Sequence, residues 1–157
     1  MPDKLTDGQI GALLAEHKFL PADYPHRIAL KPKRGHTERE LDVTGDASSE
    51  FRVILRQGQF NPLSFSVILV YRVPGSNQVF RLRRYNGKDH QHTNKLEGNT
   101  FYDFHIHTAT ERYQDIGLRE DAHAEVTGRY ADFVGAVQCM LEDCGFELPP
   151  QSQGQLF

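Results

Sequence analysis

Polar and apolar positions alternate by twos through the middle of this chain and step by threes and fours near its two ends. At the start, Ile10, Leu13, Leu14 and His17 share one face at helical spacing, with Thr6 or Asp7 as the cap. Phe19-Leu20-Pro21 closes that helix after about three turns, because a residue before proline avoids helical backbone angles. The run His26-Arg27-Ile28-Ala29-Leu30, bracketed by Pro25 and Pro32, predicts a short edge strand, and Leu41 and Val43 predict a second exposed one. Residues 50–57 alternate, and residues 65–73 are apolar at almost every position, which suits a central strand. After the turn 74–77, residues 78–85 form the next strand, and a polar loop, 86–100, leads to a strand at 101–108. Residues 111–126 are polar and irregular and predict a structured loop or a short helix. Thr127 then caps a long helix whose apolar positions Phe133, Ala136, Val137, Met140, Leu141 and Cys144 recur at three and four, with Gly145 as its stop.

Short connections between the middle strands imply an antiparallel meander. The expected fold is therefore α+β: a single, mostly antiparallel sheet of about five to six strands, with an N-terminal and a long C-terminal helix packed on one face. Residues 1–148 make one domain and 149–157 a disordered tail. At 157 residues the chain can bury a core without disulfides or a structural metal. Its 38% hydrophobic and 25% charged content exclude a disordered chain. A net charge of -3 means that any nucleic-acid role requires the basic residues to be gathered on one face. No apolar run approaches the length of a membrane span, and the start shows no signal-peptide pattern. Cys139 and Cys144 fall on different sides of a helix and are not expected to bridge, so a reduced, cytoplasmic protein is expected.

The chemistry concentrates on one strand. If Tyr102, Phe104 and Ile106 pack on the helices, then Asp103, His105 and His107 face the other way. In the preceding strand Phe80 and Leu82 suit the core, which puts Arg81, Arg83 and Tyr85 with the histidines and Arg84 next to them. Arg52 and Arg56 join them if Phe51, Val53 and Leu55 are core, and the intervening loop adds Asp89, His90 and His92.

Three chemistries compete for these residues. In the favoured reading, His105 and His107 are an acid–base pair acting on a phosphodiester without metal or cofactor. Asp103 and Tyr85 assist them, and Arg81, Arg83 and Arg84 bind the phosphate. The implied partner is RNA or another nucleic acid. In the second reading, His90, His92, His105 and His107 hold a transition metal such as zinc for hydrolysis, because a His-x-His pair on a strand aims both rings to one side. In the third, it is an ordinary surface strand, with Asp103 simply paired to Arg81 or Arg83; from another class comes a non-enzymatic module whose basic strands dock protein or nucleic acid. Glu111-Arg112-Tyr113, His123 and Arg129-Tyr130 lie close enough in sequence to complete a site, whereas His17, His26 and His36 read as surface.

The order of small helix, antiparallel sheet, His105-Ile106-His107 strand and closing helix resembles uncharacterised bacterial families of small α+β proteins. That resemblance covers roughly Phe51 to Phe146 and implies no assigned activity. Arg84-Tyr85-Asn86, His90-Gln91-His92 and His105-Ile106-His107 are also similar to the basic, histidine-rich strands of TumE-type toxins of bacterial toxin–antitoxin pairs. This second resemblance implies a ribonuclease-like or growth-inhibiting protein of bacterial or phage type with an antitoxin partner. The chain departs from that pattern in its greater length, its two separated His-x-His pairs and its acidic net charge.

Overall fold

Helix α1 (Asp7–Ala15) starts where the sequence predicts, and for a reciprocal reason. The Thr6 hydroxyl accepts from the Gln9 N–H while the Gln9 side chain accepts from the Thr6 N–H. In this computed structural model residues 4–147 are described, Pro25 by its backbone alone. After α1 come β1 (Lys18–Phe19), α2 (Tyr24–Arg27), β2 (Lys31–Lys33), β3 (His36–Thr44), β4 (Glu50–Gly58), β5 (Phe65–Arg72) and β6 (Val79–Asn86). The chain continues through β7 (His92–Thr93), β8 (Thr100–Phe101), β9 (His105–Thr108), α3 (Glu111–Asp115), β10 (Ala124–Val126), α4 (Phe133–Asp143) and β11 (Phe146–Glu147).

The fold is α+β, around a seven-stranded antiparallel sheet in the order β10-β9-β6-β5-β4-β3-β2. Its size exceeds the expected five to six strands because β2 and β10, each three residues long, close the two edges. The apolar strand β5 does occupy the centre. Phe65, Val67 and Leu69 join the core, while Ile68 and Val70, on the opposite face, are also buried. One core cluster unites Ile10 and Leu14 of α1, Phe51, Val53 and Leu55 of β4, and Phe133, Ala136, Val137 and Met140 of α4. Both helices thus cover one face of the sheet.

Three sequence expectations change. Residues 26–30 are not an edge strand: Tyr24 to Arg27 turn helically, with Pro25 in the first turn where its missing N–H costs nothing, and the edge strand lies at Lys31–Lys33 instead. The closing helix is shorter than expected, because Asp132 rather than Thr127 caps it by accepting from the Gly135 N–H. Gly145 does end it, at φ 75°. The strand at 101–108 is broken, with Thr100–Phe101 paired to β7 and only His105–Thr108 in the main sheet. Tyr102 is consequently exposed rather than core. The expected tail at 149–157 lies outside the described residues.

Lys18 ties the two helices together. Its buried ammonium donates to the carbonyls of Leu13, Leu14, Glu16 and Cys144, at 2.9, 3.2, 2.8 and 2.6 Å, and lies 4.4 Å from the centre of the Phe51 ring. These carbonyls sit at the ends of α1 and α4, where backbone acceptors lack helical partners. Cys139 and Cys144 are both buried and free, as their spacing predicted. Among the described residues no helix is long and apolar enough to cross a membrane.

Candidate metal centre

A bulge in β6 decides which side chains meet. Pairing with β5 steps from Leu69↔Arg83 to Val70↔Arg81, so Leu82 is left over and the alternation changes phase. Arg81, Arg84 and Asn86 therefore lie on the face away from the helices, and Arg83 and Tyr85 on the helix face. The expected grouping of Arg83 and Tyr85 with the histidines fails for this reason. Tyr85 is fully buried and donates to Asp143 at 2.7 Å, while Arg83 stands 3.9 Å from the same carboxylate. In β9 the expected alternation holds: His107 pairs with Arg84 and His105 with Asn86, so both imidazoles face away from the helices.

That face is covered where the histidines lie. His105 and His107 are buried, because the excursion 87–101 folds back over them through the β7–β8 hairpin. The hairpin is pinned by Asn94. Its side-chain amide accepts from the Ala124 N–H at 2.8 Å and donates to the Ala124 carbonyl at 2.7 Å, adding a rung to the edge strand β10. This anchor brings His92 onto the strand pair, with ring centres 5.5 Å from His105 and 4.8 Å from His107.

Each of the three imidazoles has one nitrogen committed to an acceptor. His105 Nδ1 lies 2.7 Å from the Asp103 carbonyl and His107 Nδ1 lies 2.8 Å from the Asp121 carbonyl, so both nitrogens carry the proton and donate. His92 Nε2 lies 2.9 Å from Asn94 Oδ1, and that atom must be oxygen because the Ala124 N–H also donates to it. The lone pairs are therefore on His105 Nε2, His107 Nε2 and His92 Nδ1, and that of His105 accepts from the Asn86 amide at 3.5 Å. The three rings can bring ligand nitrogens within 4.8 Å of one another. Around a zinc ion with bonds of about 2.1 Å, tetrahedral nitrogens stand roughly 3.4 Å apart. His107 Nε2 is buried and has no hydrogen-bond partner among the described residues.

Burial holds both strand imidazoles neutral. It pushes His105 down to about 4, reinforced by His90, His92 and Arg84, and His107 down to about 2, reinforced by Arg84, His105 and His92. A neutral imidazole with one N–H donated and the other nitrogen free is the form that binds a transition metal.

His90 stands apart from the three. Its ring meets His105 edge-on at 5.3 Å, and its Nδ1 is 2.7 Å from Asp89 Oδ1. The Ser64 hydroxyl donates to the other Asp89 oxygen at 2.7 Å. Burial opposes ionisation of Asp89, but the Ser64 and His90 contacts together hold it below the usual carboxylate range. The result is a carboxylate–imidazole dyad at the rim of the centre, with Nε2 available.

Other expected site residues take different roles. Asp103 contributes its carbonyl rather than its carboxylate, which is half-exposed and 3.7 Å from Lys88. Arg52 and Arg56 do lie on the face away from the helices, as expected, but they pair there with Asp42 at 2.7 Å and Glu38 at 3.0 Å, and Arg56 lines a cavity with Arg84, Asn86 and His90. His36, read as a surface residue, reaches Glu38 at 3.0 Å. Tyr113 donates to Glu97 at 2.6 Å, and His123 lies 3.4 Å from the same carboxylate. Arg129 locks onto Asp143 with two bonds, at 2.7 and 2.8 Å, on the helix side. Sequence reasoning missed Asn94 and Asp121, since neither lies in a periodic segment and both act across long sequence separations.

No protein-family model matches this chain, and comparison with curated proteins and with solved structures also finds no match. The resemblances drawn from the sequence rest on their motifs alone.

Proposed function

We propose that this protein is a metal-dependent hydrolase whose transition metal, zinc by ligand type, is held by His92, His105 and His107. The observation that carries the reading is that each of the three clustered rings has one nitrogen tied to an oxygen acceptor, which leaves the other as the ligand atom, with only a 3.5 Å contact from the Asn86 amide at His105 Nε2. Such outer contacts set the tautomer and orientation that a ligand needs. Three protein ligands leave a fourth position, and the metal would there supply Lewis acidity and lower the pKa of water. His90, oriented by Asp89 and Ser64 at the rim of the centre, would offer Nε2 as the proton acceptor.

The neutral state of His105 and His107 favours this reading over an acid–base pair, which needs one protonated imidazole at the start of the reaction. The placement of Arg83 and Tyr85 behind the sheet removes two of the groups that the acid–base mechanism was to use. Elemental mass spectrometry on untagged protein, prepared without chelator, tests the proposal. It expects about one equivalent of zinc or a related metal, lost in the double variant His105→Ala/His107→Ala. Protein that stays metal-free after incubation with zinc, cobalt, manganese or iron(II), while folded, would overturn it.

A further inference from the structure

Beside the three histidines, β6 and the loop after α3 enclose a charge arrangement that the protein does not balance by itself. Asp121 is completely buried, and three guanidiniums approach its carboxylate: Arg84 at 3.3 Å, Arg81 at 3.8 Å and Arg119 at 4.0 Å. None of these approaches is an aligned hydrogen bond. Both Asp121 oxygens and Arg84 Nε are buried without a hydrogen-bond partner among the described residues. Glu120 lies 3.9 Å from Arg81 and offsets one of the three cations. Arg84 and Arg119 are then left to share the single carboxylate of Asp121.

These groups face a cavity of about 300 Å³ lined by Arg84, Lys95, Arg119, Asp121, Tyr113 and His107. Lys95 adds a further cation, with no ion-pair partner among the described residues. His92 and His90 line the same cavity, so its wall is shared with the candidate metal centre and the dyad. Burial disfavours the charge on Arg84, with Arg119 and Arg81 adding repulsion that Asp121 opposes. An anion entering the cavity relieves that repulsion and meets donors from three separate segments. Guanidinium and ammonium groups converging from several directions suit a tetrahedral oxyanion with three free oxygens better than a planar carboxylate. The volume admits a phosphoryl group with a small ester substituent.

We propose that this cavity is an oxyanion subsite that takes the phosphoryl group of a phosphate ester, with Arg84, Arg119 and Lys95 as its cations. As a substrate assignment it rests on the metal-hydrolase reading; as a binding site it can be tested with or without metal. The phosphoryl group can come from a monoester or from a nucleic-acid diester.

The test is calorimetric titration with inorganic phosphate of zinc-loaded protein, chelator-treated protein and the double variant Arg119→Ala/Lys95→Ala. Both substituted residues are exposed, and circular dichroism checks that the fold is kept. The proposal expects wild-type binding in both metal states and at least tenfold weaker binding in the variant. Phosphate binding that is equal in wild type and variant but abolished by chelator would leave the metal centre standing and remove the subsite. Binding weakened in the variant, by protein that takes up no zinc when loading is attempted, would retain the subsite and count against the metal reading alone. No phosphate binding in any form overturns the subsite. Displacement by phenyl phosphate assigns a monoester, and displacement by diphenyl phosphate or a short oligonucleotide assigns a diester.

Discussion

Asn94 offers the sharpest separation between a residue that holds the fold and one that orients a ligand, because its amide does both with different atoms. Its oxygen accepts from the Ala124 N–H at 2.8 Å and from His92 Nε2 at 2.9 Å, while its nitrogen donates to the Ala124 carbonyl at 2.7 Å and to Asn99 at 3.1 Å. Asn94→Ala removes all four contacts. Ala124 is fully buried, so its N–H and carbonyl lose their partners where water does not readily replace them, at about 1–3 kcal/mol each. The exposed Asn99 turns to solvent at little cost. The expected loss of stability is therefore about 2–6 kcal/mol. His92 also loses the acceptor that fixes its tautomer, which weakens metal binding by about 10- to 100-fold.

Asn94→Asp divides these effects. It keeps an acceptor for the Ala124 N–H and for His92 but loses the donors to the Ala124 carbonyl and Asn99. Stability then falls by about 1–3 kcal/mol, whereas zinc affinity stays at or above the wild-type value because a carboxylate partner raises imidazole basicity. Urea denaturation in chelator measures the first quantity, and competition with a chromophoric zinc chelator measures the second. Zinc affinity that is unchanged in both variants, or reduced equally in both, would refute the assignment of Asn94 as the group that orients His92.

Three further outcomes follow from the same geometry. Metal-free protein should lose stability below pH 6.5, because unfolded histidine takes up protons there while His105 and His107, held near 4 and 2, do not. The contribution is fully present above pH 6.5 and falls by roughly 3 kcal/mol per imidazole at pH 4; a flat profile from pH 7 to 5, measured by denaturation in chelator, would contradict the burial of both rings. Lys18→Met should cost about 3–5 kcal/mol, since it removes a charge-assisted cap from the buried ends of both helices. A urea midpoint close to wild type would show that those carbonyls find other partners. His90→Gln should keep the wild-type metal content and lower zinc-dependent hydrolysis of a phosphate ester by about 100-fold; loss of metal in that variant would instead make His90 a ligand.

Local pattern was enough to place most of the strands and both long helices. Period-two alternation around residues 50–85 specified an antiparallel meander, and the unbroken apolar run of β5 marked the centre, since only a strand covered on both faces tolerates it. Alternation also put His105 and His107 on one face of β9, because side-chain direction in a strand depends on the strand's own backbone. The arginine set could not be obtained that way. A single leftover residue, Leu82, changes the phase of β6 and sends Arg83 and Tyr85 to one side and Arg84 to the other. Nor does periodicity link His92 to β9: that depends on a hairpin fixed to Ala124 by one asparagine amide, thirty positions away. Sequence by itself therefore determined most of the central strands, the two longer helices and which face each histidine of β9 takes, since those follow from short-range backbone geometry. The tertiary structure alone decided which histidines come together, which nitrogen of each is free, and which cations stand beside them, because hydrogen bonds and packing between distant segments set those relations.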